Sequence, residues 1–199
     1  EILSALRDLI GLREPPETEA LLDLTLRLAH LQEEQLGQAE VAFELFEEAL
    51  TLNAHDELTL SALERFLTHP TLKGRAASRL APLYEEANQT EPLINALLVG
   101  AEVAQGEGDL ERAVAHLQRV AELYVSVEAL DEAFESYTQA LSLLPERAEA
   151  AERLTALAER RQDWASLASV LEQVTPELTT TEVQLARAKQ LAQLYVERL

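Results

Sequence analysis

The four histidines are the side chains whose spacing shows most directly whether the chain could hold a metal ion. Two ligands lie on one face of a helix when they are three or four residues apart, as in His-x-x-x-His, His-Glu-x-x-His and Glu-x-x-His. None of these patterns occurs around any histidine, so the sequence predicts no metal site. The histidines are His30, His55, His69 and His116.

The groups that other common chemistries require are also missing. The chain has no cysteine, which excludes a thiol nucleophile and a disulfide framework. No Gly-x-Ser-x-Gly elbow occurs, and Gly106-Glu107-Gly108 lacks the further glycine and the lysine of a phosphate-binding loop. Adjacent glutamates such as Glu33-Glu34 lie on faces expected to meet water, where acid–base catalysis is not favoured. We therefore expect a protein that is not an enzyme and has no cofactor.

Composition narrows the kind of partner. Of 199 residues, 36 are acidic and 16 basic, which gives a formal net charge of −20. Nucleic acid is not a predicted partner, because phosphate binding depends on clustered Lys and Arg. No run of ~18 apolar residues exists that could insert in a membrane. The absence of cysteine fits any compartment, so the sequence leaves the location of the protein open.

Apolar residues recur at helical spacing along nearly the whole chain, and no segment has the composition of a strand. Glycines and prolines, including Pro15-Pro16, fall mostly between the periodic stretches. Asp109 and Asp163 stand where a helix N-cap is expected. Pro82 falls inside a stretch and predicts a kink. The predicted helices, about eleven, cover 2–10, 18–36, 39–52, 57–67, 72–87, 92–104, 110–126, 130–143, 147–160, 164–174 and 181–199.

A short packing code recurs along these helices. A large residue, a small residue and then an aromatic residue one turn later occur as Leu-Ala-x-x-Tyr or Val-Ala-x-x-Tyr at 80–84, 120–124 and 191–195. Weaker copies stand at 28–32 and 154–158. The small residue lets a neighbouring helix come close, and the ring covers the gap. We expect Trp164 and the repeat tyrosines to be core residues. These tyrosines are Tyr84, Tyr124, Tyr137 and Tyr195.

The helices that follow carry a second signature. Ala-x-x-x-Tyr-x-x-Ala-x-x-x-x-Pro at 133–145 matches Ala-x-x-x-Phe-x-x-Ala-x-x-x-x-Ala at 42–54. Together the two patterns resemble the tetratricopeptide repeat (TPR) family. Glu128 and Gln162 depart from it, because they stand where that family usually ends a helix with glycine. The resemblance covers 110–145 and 21–54, then 147–174 and 72–104, with a half unit at 181–199.

The resemblance implies an all-α fold, with antiparallel helix pairs stacked into a right-handed α–α superhelix, or solenoid. It implies one repeat domain over 1–199, and protein–protein interaction as a scaffold or adaptor. In such a superhelix the first helix of each pair lines a concave groove. One subclass clamps a C-terminal carboxylate with Lys, Asn and Arg along the groove. The comparable positions here are largely Glu, Gln and Ser, which argues against that subclass.

The residues expected to face the groove are acidic overall. Glu122, Glu149, Glu152 and Glu159 fall in adjacent units, which leads to the hypothesis that the groove binds a basic or amphipathic partner segment. The predicted groove residues are Asp23, His30, Glu33, Arg75, Ser78, Glu85, Gln118, Glu122, Glu149, Glu152, Glu159, Lys189 and Gln193.

Two segments depart from the regular repeat. An irregular extra helix near 57–67 lengthens the interval between the first two copies of the packing code, and its apolar side is expected to include Leu58. At the other end, 181–199 resembles the second predicted helix, with no partner helix after it. We therefore expect a fragment of a longer array, or a C-terminal helix that makes an oligomer or assembly contact. The apolar residues expected to be uncovered there are Leu185, Leu191, Leu194 and Tyr195.

Two other classes of function are alternatives to a groove-binding scaffold. A structural subunit or spacer would contact the rest of a larger assembly through its ends and faces. An α/α toroid enzyme would need a closed ring with convergent carboxylates or histidines at its centre, and neither is visible in the sequence.

Overall fold

The structure, a computed structural model, describes residues 2–11 and 18–199, so the predicted position of Pro15-Pro16 between helices lies outside the described residues. Over the described part the chain forms eleven α-helices and no strand, which confirms the all-α class. The helices are α1 (Ile2–Gly11), α2 (Thr18–Glu34), α3 (Ala39–Leu52), α4 (Glu57–Arg65), α5 (Lys73–Glu86), α6 (Thr90–Gly106), α7 (Leu110–Ser126), α8 (Leu130–Leu143), α9 (Ala148–Arg161), α10 (Trp164–Val174) and α11 (Thr181–Glu197).

The helices form two compact units, one ending at Gln89 and the other beginning at Thr90. Within each unit, helices that follow one another in the chain pack together, as expected for stacked hairpins. The predicted organisation into helical hairpins is thereby confirmed within each unit. That 1–199 forms a single domain, and that the superhelix is right-handed, stay predictions.

The first unit has an aromatic core. Phe43 and Phe46 of α3 are fully buried. Phe66, in a short 3-10 turn after α4, meets both of them edge to face, with ring centroids 5.3 and 6.1 Å away. Such pairs add to the apolar area that the rings bury. The irregular helix α4 is therefore attached to α3 through the residues that follow it.

The buried face of α4 and the turn after it includes Leu63, Phe66 and Leu67 as predicted, but it differs from the prediction at Leu58. Leu58 is 68% exposed, whereas Thr59 and Ala62 are buried. The reason lies at the helix start, where the Asp56 carboxylate accepts hydrogen bonds from both the backbone N–H (2.8 Å) and the hydroxyl (2.7 Å) of Thr59. These bonds satisfy the polar groups of Thr59 and allow its burial. The expectation that Leu58 lies on the apolar side was wrong.

The second unit, α6–α11, contains a core of aliphatic residues. Its first two helices approach closely at Gly100, where a Cβ atom would lie 3.3 Å from Nε2 of His116. A Cβ atom at position 100 would therefore require the half-buried imidazole to shift by a few tenths of an ångström. The burial of the imidazole also lowers the pKa of His116. The fully buried core includes Val114, Val120, Leu141, Leu154, Leu167 and Leu171.

Four helices, α5, α6, α7 and α9, end in the same hydrogen-bonded turn. A left-handed residue donates its N–H to the carbonyl three positions back, and the next residue donates to the carbonyl five positions back. This is the Schellman motif, which satisfies carbonyls that would otherwise be left open at a helix end. After α6, α7 and α9, the second of these residues is also the N-cap of the next helix. The left-handed residues are Asn88, Gly108, Glu128 and Gln162.

The caps follow the predicted positions. Asp109 accepts a hydrogen bond from the backbone N–H of Arg112, and Asp163 accepts one from that of Ser166, each at 3.1 Å. Both predicted N-caps are confirmed. Helix α5 continues through Pro82 without interruption, and the kink there stays a prediction.

The last helix packs more of its apolar surface than the sequence suggested. Leu194 is only 7% exposed and belongs to the core of the second unit, and Leu191 packs against that core. The expectation that both are uncovered was wrong, because they share the inner face of α11. Leu185 and Tyr195 are exposed, at 56% and 51%, so Tyr195 is not the core residue that was predicted.

Candidate partner-binding cleft

A cleft of about 620 Å³ lies between α9 and α11 in the second unit. Its α9 wall is formed largely by Ala148, Ala151 and Ala156, whose small side chains leave the space between the helices open. Ala148 and Ala151 are three residues apart and so lie on one face of the helix, whereas Ala156 lies towards the neighbouring face. Across the cleft, Gln190 of α11 donates a hydrogen bond of 3.0 Å to the hydroxyl of Thr155. This bond connects α9 and α11 at Thr155, and the cleft is open on either side of it.

Besides Glu146, which is held by the residues before α11, three carboxylates line this cleft: Glu152 and Glu159 from α9, and Glu182 from α11. All three residues are exposed. None of the three carboxylates has a hydrogen bond or ion pair within the described residues. Glu152 and Glu159 lie two helical turns apart on the same face. The cleft therefore presents negative charge that no cation of the described chain neutralises.

Arg187 of α11 also lines the cleft, and it is the most unusual residue there. It is 4% exposed, and its Nη1 atom has no hydrogen-bond partner among the described residues. Burial lowers the pKa of the guanidinium, but an arginine in a protein stays protonated. The cleft thus holds a desolvated cation below its acidic rim.

Glu146, at the end of the cleft, positions α11. One of its carboxylate oxygens accepts hydrogen bonds from the N–H and hydroxyl groups of both Thr179 and Thr180, at 2.5–3.0 Å. Thr180 is the N-cap residue of α11. These four bonds lower the pKa of Glu146 from its ordinary 4.5 to about 2. A single carboxylate therefore connects the turn before α9 to the start of α11, on which Arg187 lies.

A second cleft, of about 200 Å³, flanks the other side of α9. Glu122 of α7 lines it together with Arg153 and Arg160 of α9. Ala156 lines both clefts, so they are neighbours across one helix. The second cleft carries both signs of charge, and Glu122 forms an ion pair of 3.2 Å with Arg119. The unpaired carboxylates are thus found in the α9–α11 cleft.

Predicted groove residues of the first unit are held by internal contacts. Glu33 pairs with Arg65 at 2.5 Å, and Arg75 pairs with Glu47 at 2.7 Å. The ring of His30 packs edge to face against an aromatic ring of α3, with centroids 5.4 Å apart. Glu33 and Arg75 already have ionic partners in the free protein, and a ligand would have to compete with these partners. The Nδ1 atom of His30, in contrast, is buried without a hydrogen-bond partner among the described residues.

The remaining predicted groove residues are dispersed. Gln118 is half-buried, and its Nε2 atom has no partner among the described residues. The structure brings together only Glu152 and Glu159 in the larger cleft, and partner binding by every predicted groove residue stays a prediction. Exposed and outside both clefts are Asp23, Ser78, Glu85, Glu149, Lys189 and Gln193.

Sequence reasoning missed Arg187, Glu182 and Glu146. A signal for Arg187 exists, because Val183, Arg187, Leu191 and Leu194 follow helical spacing on the inner face of α11. A charged residue inside an apolar stripe is a reason to examine its surroundings. No local pattern indicates the role of Glu146, because its partners lie more than thirty positions away in the chain.

The described residues show no sign of two other kinds of site. Among them, no three histidine, cysteine or carboxylate side chains are arranged to hold a metal ion. No helix within 2–11 and 18–199 is long and apolar enough to cross a membrane.

Fold and cleft together define an all-α protein of stacked helical hairpins with an open, charged cleft. No protein-family model matches the chain, and no curated protein matches it. Among solved structures, it is similar to TPR-like repeats of a kinesin light chain-like protein from Podosopora anserina, with 19% identity over 87% of this chain and 85% of that one, at a TM-score of 0.39. It is also similar to a thermophilic TPR protein from Thermus thermophilus, with 22% identity over 88% and 99%, at a TM-score of 0.30. These likenesses are distant, and the assignment to stacked hairpins depends on the turns and packing described above.

Proposed function

We propose that this chain is a non-enzymatic protein–protein interaction scaffold that binds a basic or amphipathic segment of a partner protein on the acidic face of its second unit. The observation that supports the proposal is the α9–α11 cleft, whose rim carboxylates Glu152, Glu159 and Glu182 have no cation of their own. Lysine or arginine side chains of a partner would supply that charge, and their methylene stems would pack on the alanines.

The proposal is tested by reversing charge at the sequence-predicted cluster. The variant carries Glu122→Lys, Glu149→Lys, Glu152→Lys and Glu159→Lys. We expect a capped basic amphipathic peptide to bind the wild type at low ionic strength, measured by titration calorimetry, and to lose at least tenfold in affinity to the variant. Binding should also weaken as salt is raised, because the charges lie at an exposed rim.

A matched variant separates the effect of the cleft from that of net charge. Glu128→Lys, Glu132→Lys, Glu177→Lys and Glu197→Lys change the charge of the same unit by the same amount at exposed positions outside both clefts. This variant should keep more than half of the wild-type affinity. Equal losses in the two variants, or no binding by the wild type at low salt, would overturn the proposal.

A second candidate function is a structural subunit that contacts another copy through α11. The exposed residues Leu185, Ala188, Ala192 and Tyr195 of α11 are spaced three, four and three apart, the pattern of a helix–helix seam. Sedimentation equilibrium over a hundredfold range of concentration tests it. The mass should rise towards that of a dimer for the wild type and stay monomeric for Leu185→Glu. A concentration-independent monomer would exclude this candidate.

A further inference from the structure

Arg187 is the one charged residue among the described residues that is buried. It lies in the wall of an open cleft and has an unsatisfied Nη1 atom. A buried charge without a counter-ion is strongly unfavourable, and a guanidinium does not escape by losing its proton. The residue therefore points to an anion that reaches it from outside the chain.

The carboxylates of the cleft do not fill this role. Glu152, Glu159 and Glu182 line the same space, yet none of them forms an ion pair with Arg187. Glu146 is engaged by the two threonines at the start of α11. The cleft thus has two separate electrostatic features, an unpaired cation at its base and unpaired anions at its rim.

We propose that Arg187 binds a side-chain carboxylate of the partner segment, while the rim glutamates bind basic residues on either side of that carboxylate. This inference rests on the proposed function and names the chemistry of its ligand. A planar guanidinium matches a carboxylate through two parallel hydrogen bonds. The rim disfavours a phosphate in the same position, because a dianion would be repelled more strongly by three nearby carboxylates.

The dimensions of the cleft set the length of the segment. Its α9 wall runs from Ala148 to Glu159, a distance of roughly 17 Å at the helical rise per residue. An extended segment of about five residues covers that distance. In an extended chain alternate side chains point to the same side, so a basic–small–acidic–small–basic order directs all three charges into the cleft.

Three peptides test this arrangement, all acetylated at the N-terminus and amidated at the C-terminus so that no terminal carboxylate is present. They are Lys-Ala-Glu-Ala-Lys and the same peptide with Gln or phosphoserine in place of Glu. By titration calorimetry at low salt, we expect the Glu peptide to bind the wild type roughly ten- to a hundredfold more tightly than the Gln peptide. The phosphoserine peptide should bind less tightly than the Glu peptide.

The variant Arg187→Met removes the cation and keeps an apolar side chain of similar length. It should bind the Glu and Gln peptides with equal affinity, at the level of the Gln peptide with the wild type. Arg160→Met, which removes a cation from α9 outside this cleft, should preserve the preference for Glu. If Arg187→Met does not fold, as judged by circular dichroism, the inference is tested by the affinities of the Glu, Gln and phosphoserine peptides for the wild type.

Failure of this inference differs from failure of the proposed function. Equal binding of the Glu and Gln peptides to the wild type would overturn the role of Arg187 while leaving an acidic cleft that binds basic segments. Tighter binding of the phosphoserine peptide would overturn the assignment of a carboxylate. No binding of any of the three peptides, nor of a longer basic peptide, would overturn both.

Discussion

Among the described residues, Arg187 contributes the one buried charge that lines the α9–α11 cleft. Because it is buried without a counter-charge, we expect it to lower the stability of the free protein. Apolar side chains of similar size often stabilise proteins when they replace buried charges. If Arg187 serves to bind a partner, the free energy of unfolding of the free protein should therefore be lower than it would be with an apolar residue at position 187.

We expect Arg187→Met to raise the free energy of unfolding of the free protein by about 1–2 kcal/mol, measured by urea denaturation. The exposed control Arg160→Met should stay within about 0.5 kcal/mol of the wild type. Destabilisation by Arg187→Met would mean that the guanidinium has a stabilising contact inside the folded chain.

Two glycines at the end of α6 provide a second test at the scale of single residues. Gly106 and Gly108 both have open space where a Cβ atom would be placed, but only Gly108 has a positive φ, of +79°. Alanine is strained in that conformation, whereas in a helix it is favoured over glycine. Gly108→Ala should destabilise the protein by about 1 kcal/mol, and Gly106→Ala should stabilise it by about 0.5–1 kcal/mol, by thermal or urea unfolding. Equal effects of the two substitutions would contradict this account.

Single residues were predictable from the sequence where their partners are local. Asp109 and Asp163 cap their helices as expected, because a cap bonds to the N–H three residues on. Arg187 was not singled out, because its isolation depends on the packing of α11 against helices far away in sequence. Leu58 was placed on the wrong face because a capped threonine replaces leucine in the buried stripe of α4.

At the scale of elements, the start of α11 depends on one carboxylate far away in sequence. Glu146 accepts four hydrogen bonds from Thr179 and Thr180, and they keep its pKa at about 2 rather than 4.5. A carboxylate whose pKa is lowered by folding stabilises the folded state, and this stabilisation is fully present at a pH above the pKa of the group in the unfolded chain. The stabilisation is lost as the pH falls through the pKa of the group in the folded protein.

We expect Glu146→Gln to lower the urea midpoint at neutral pH. The difference from the wild type should remain constant down to about pH 5 and should shrink between pH 4.5 and pH 2, where Glu146 itself becomes protonated. Glu177→Gln, in the 3-10 turn just before the two threonines, should have a smaller effect that does not depend on pH in this way. A difference that persists at pH 2 would assign the effect to packing.

Helix positions were largely predictable because helical periodicity and turn signals agree in this chain. Helices α3, α7, α8 and α10 begin and end at the predicted residues. The turn after α7 keeps its left-handed residue although Glu128 stands where glycine is usual. The hydrogen bonds of the motif and the packing of both helices outweigh the strain of one residue. The sequence alone could not show that these contacts outweigh the backbone strain at Glu128, because the contacts are made between residues of different helices.

At the scale of the whole molecule, the net charge of −20 opposes compaction. Its effect extends over about 30 Å at 10 mM salt but only about 8 Å at physiological salt. Exposed ion pairs lose strength with salt as well, but each contributes little. Repulsion should therefore dominate the response of stability to salt.

We expect the melting temperature to rise by about 2–4 °C between 10 and 150 mM NaCl. The same rise with KF would show that screening, and not binding of chloride, is responsible. A fall in melting temperature would show that the surface ion pairs outweigh the net repulsion.

The hairpin organisation of each unit was predictable because the same packing pattern recurs several times in the sequence. The copies at 120–124 and 154–158 both precede their left-handed turn residue by the same number of positions, at Glu128 and Gln162. The candidate cleft was predictable only in part. Glu152 and Glu159 follow from the phase of one helix, whereas the opening beside them depends on how α9 and α11 are spaced.

The turns after α6, α7 and α9 also limit how the length of this chain can vary. One residue both completes the end of a helix and caps the next helix. Inserting a single residue there would rotate the following helix by about 100° and turn its apolar face away from its neighbour. Natural insertions and deletions are therefore expected in other connections, such as residues 144–147, and to be absent from these three turns.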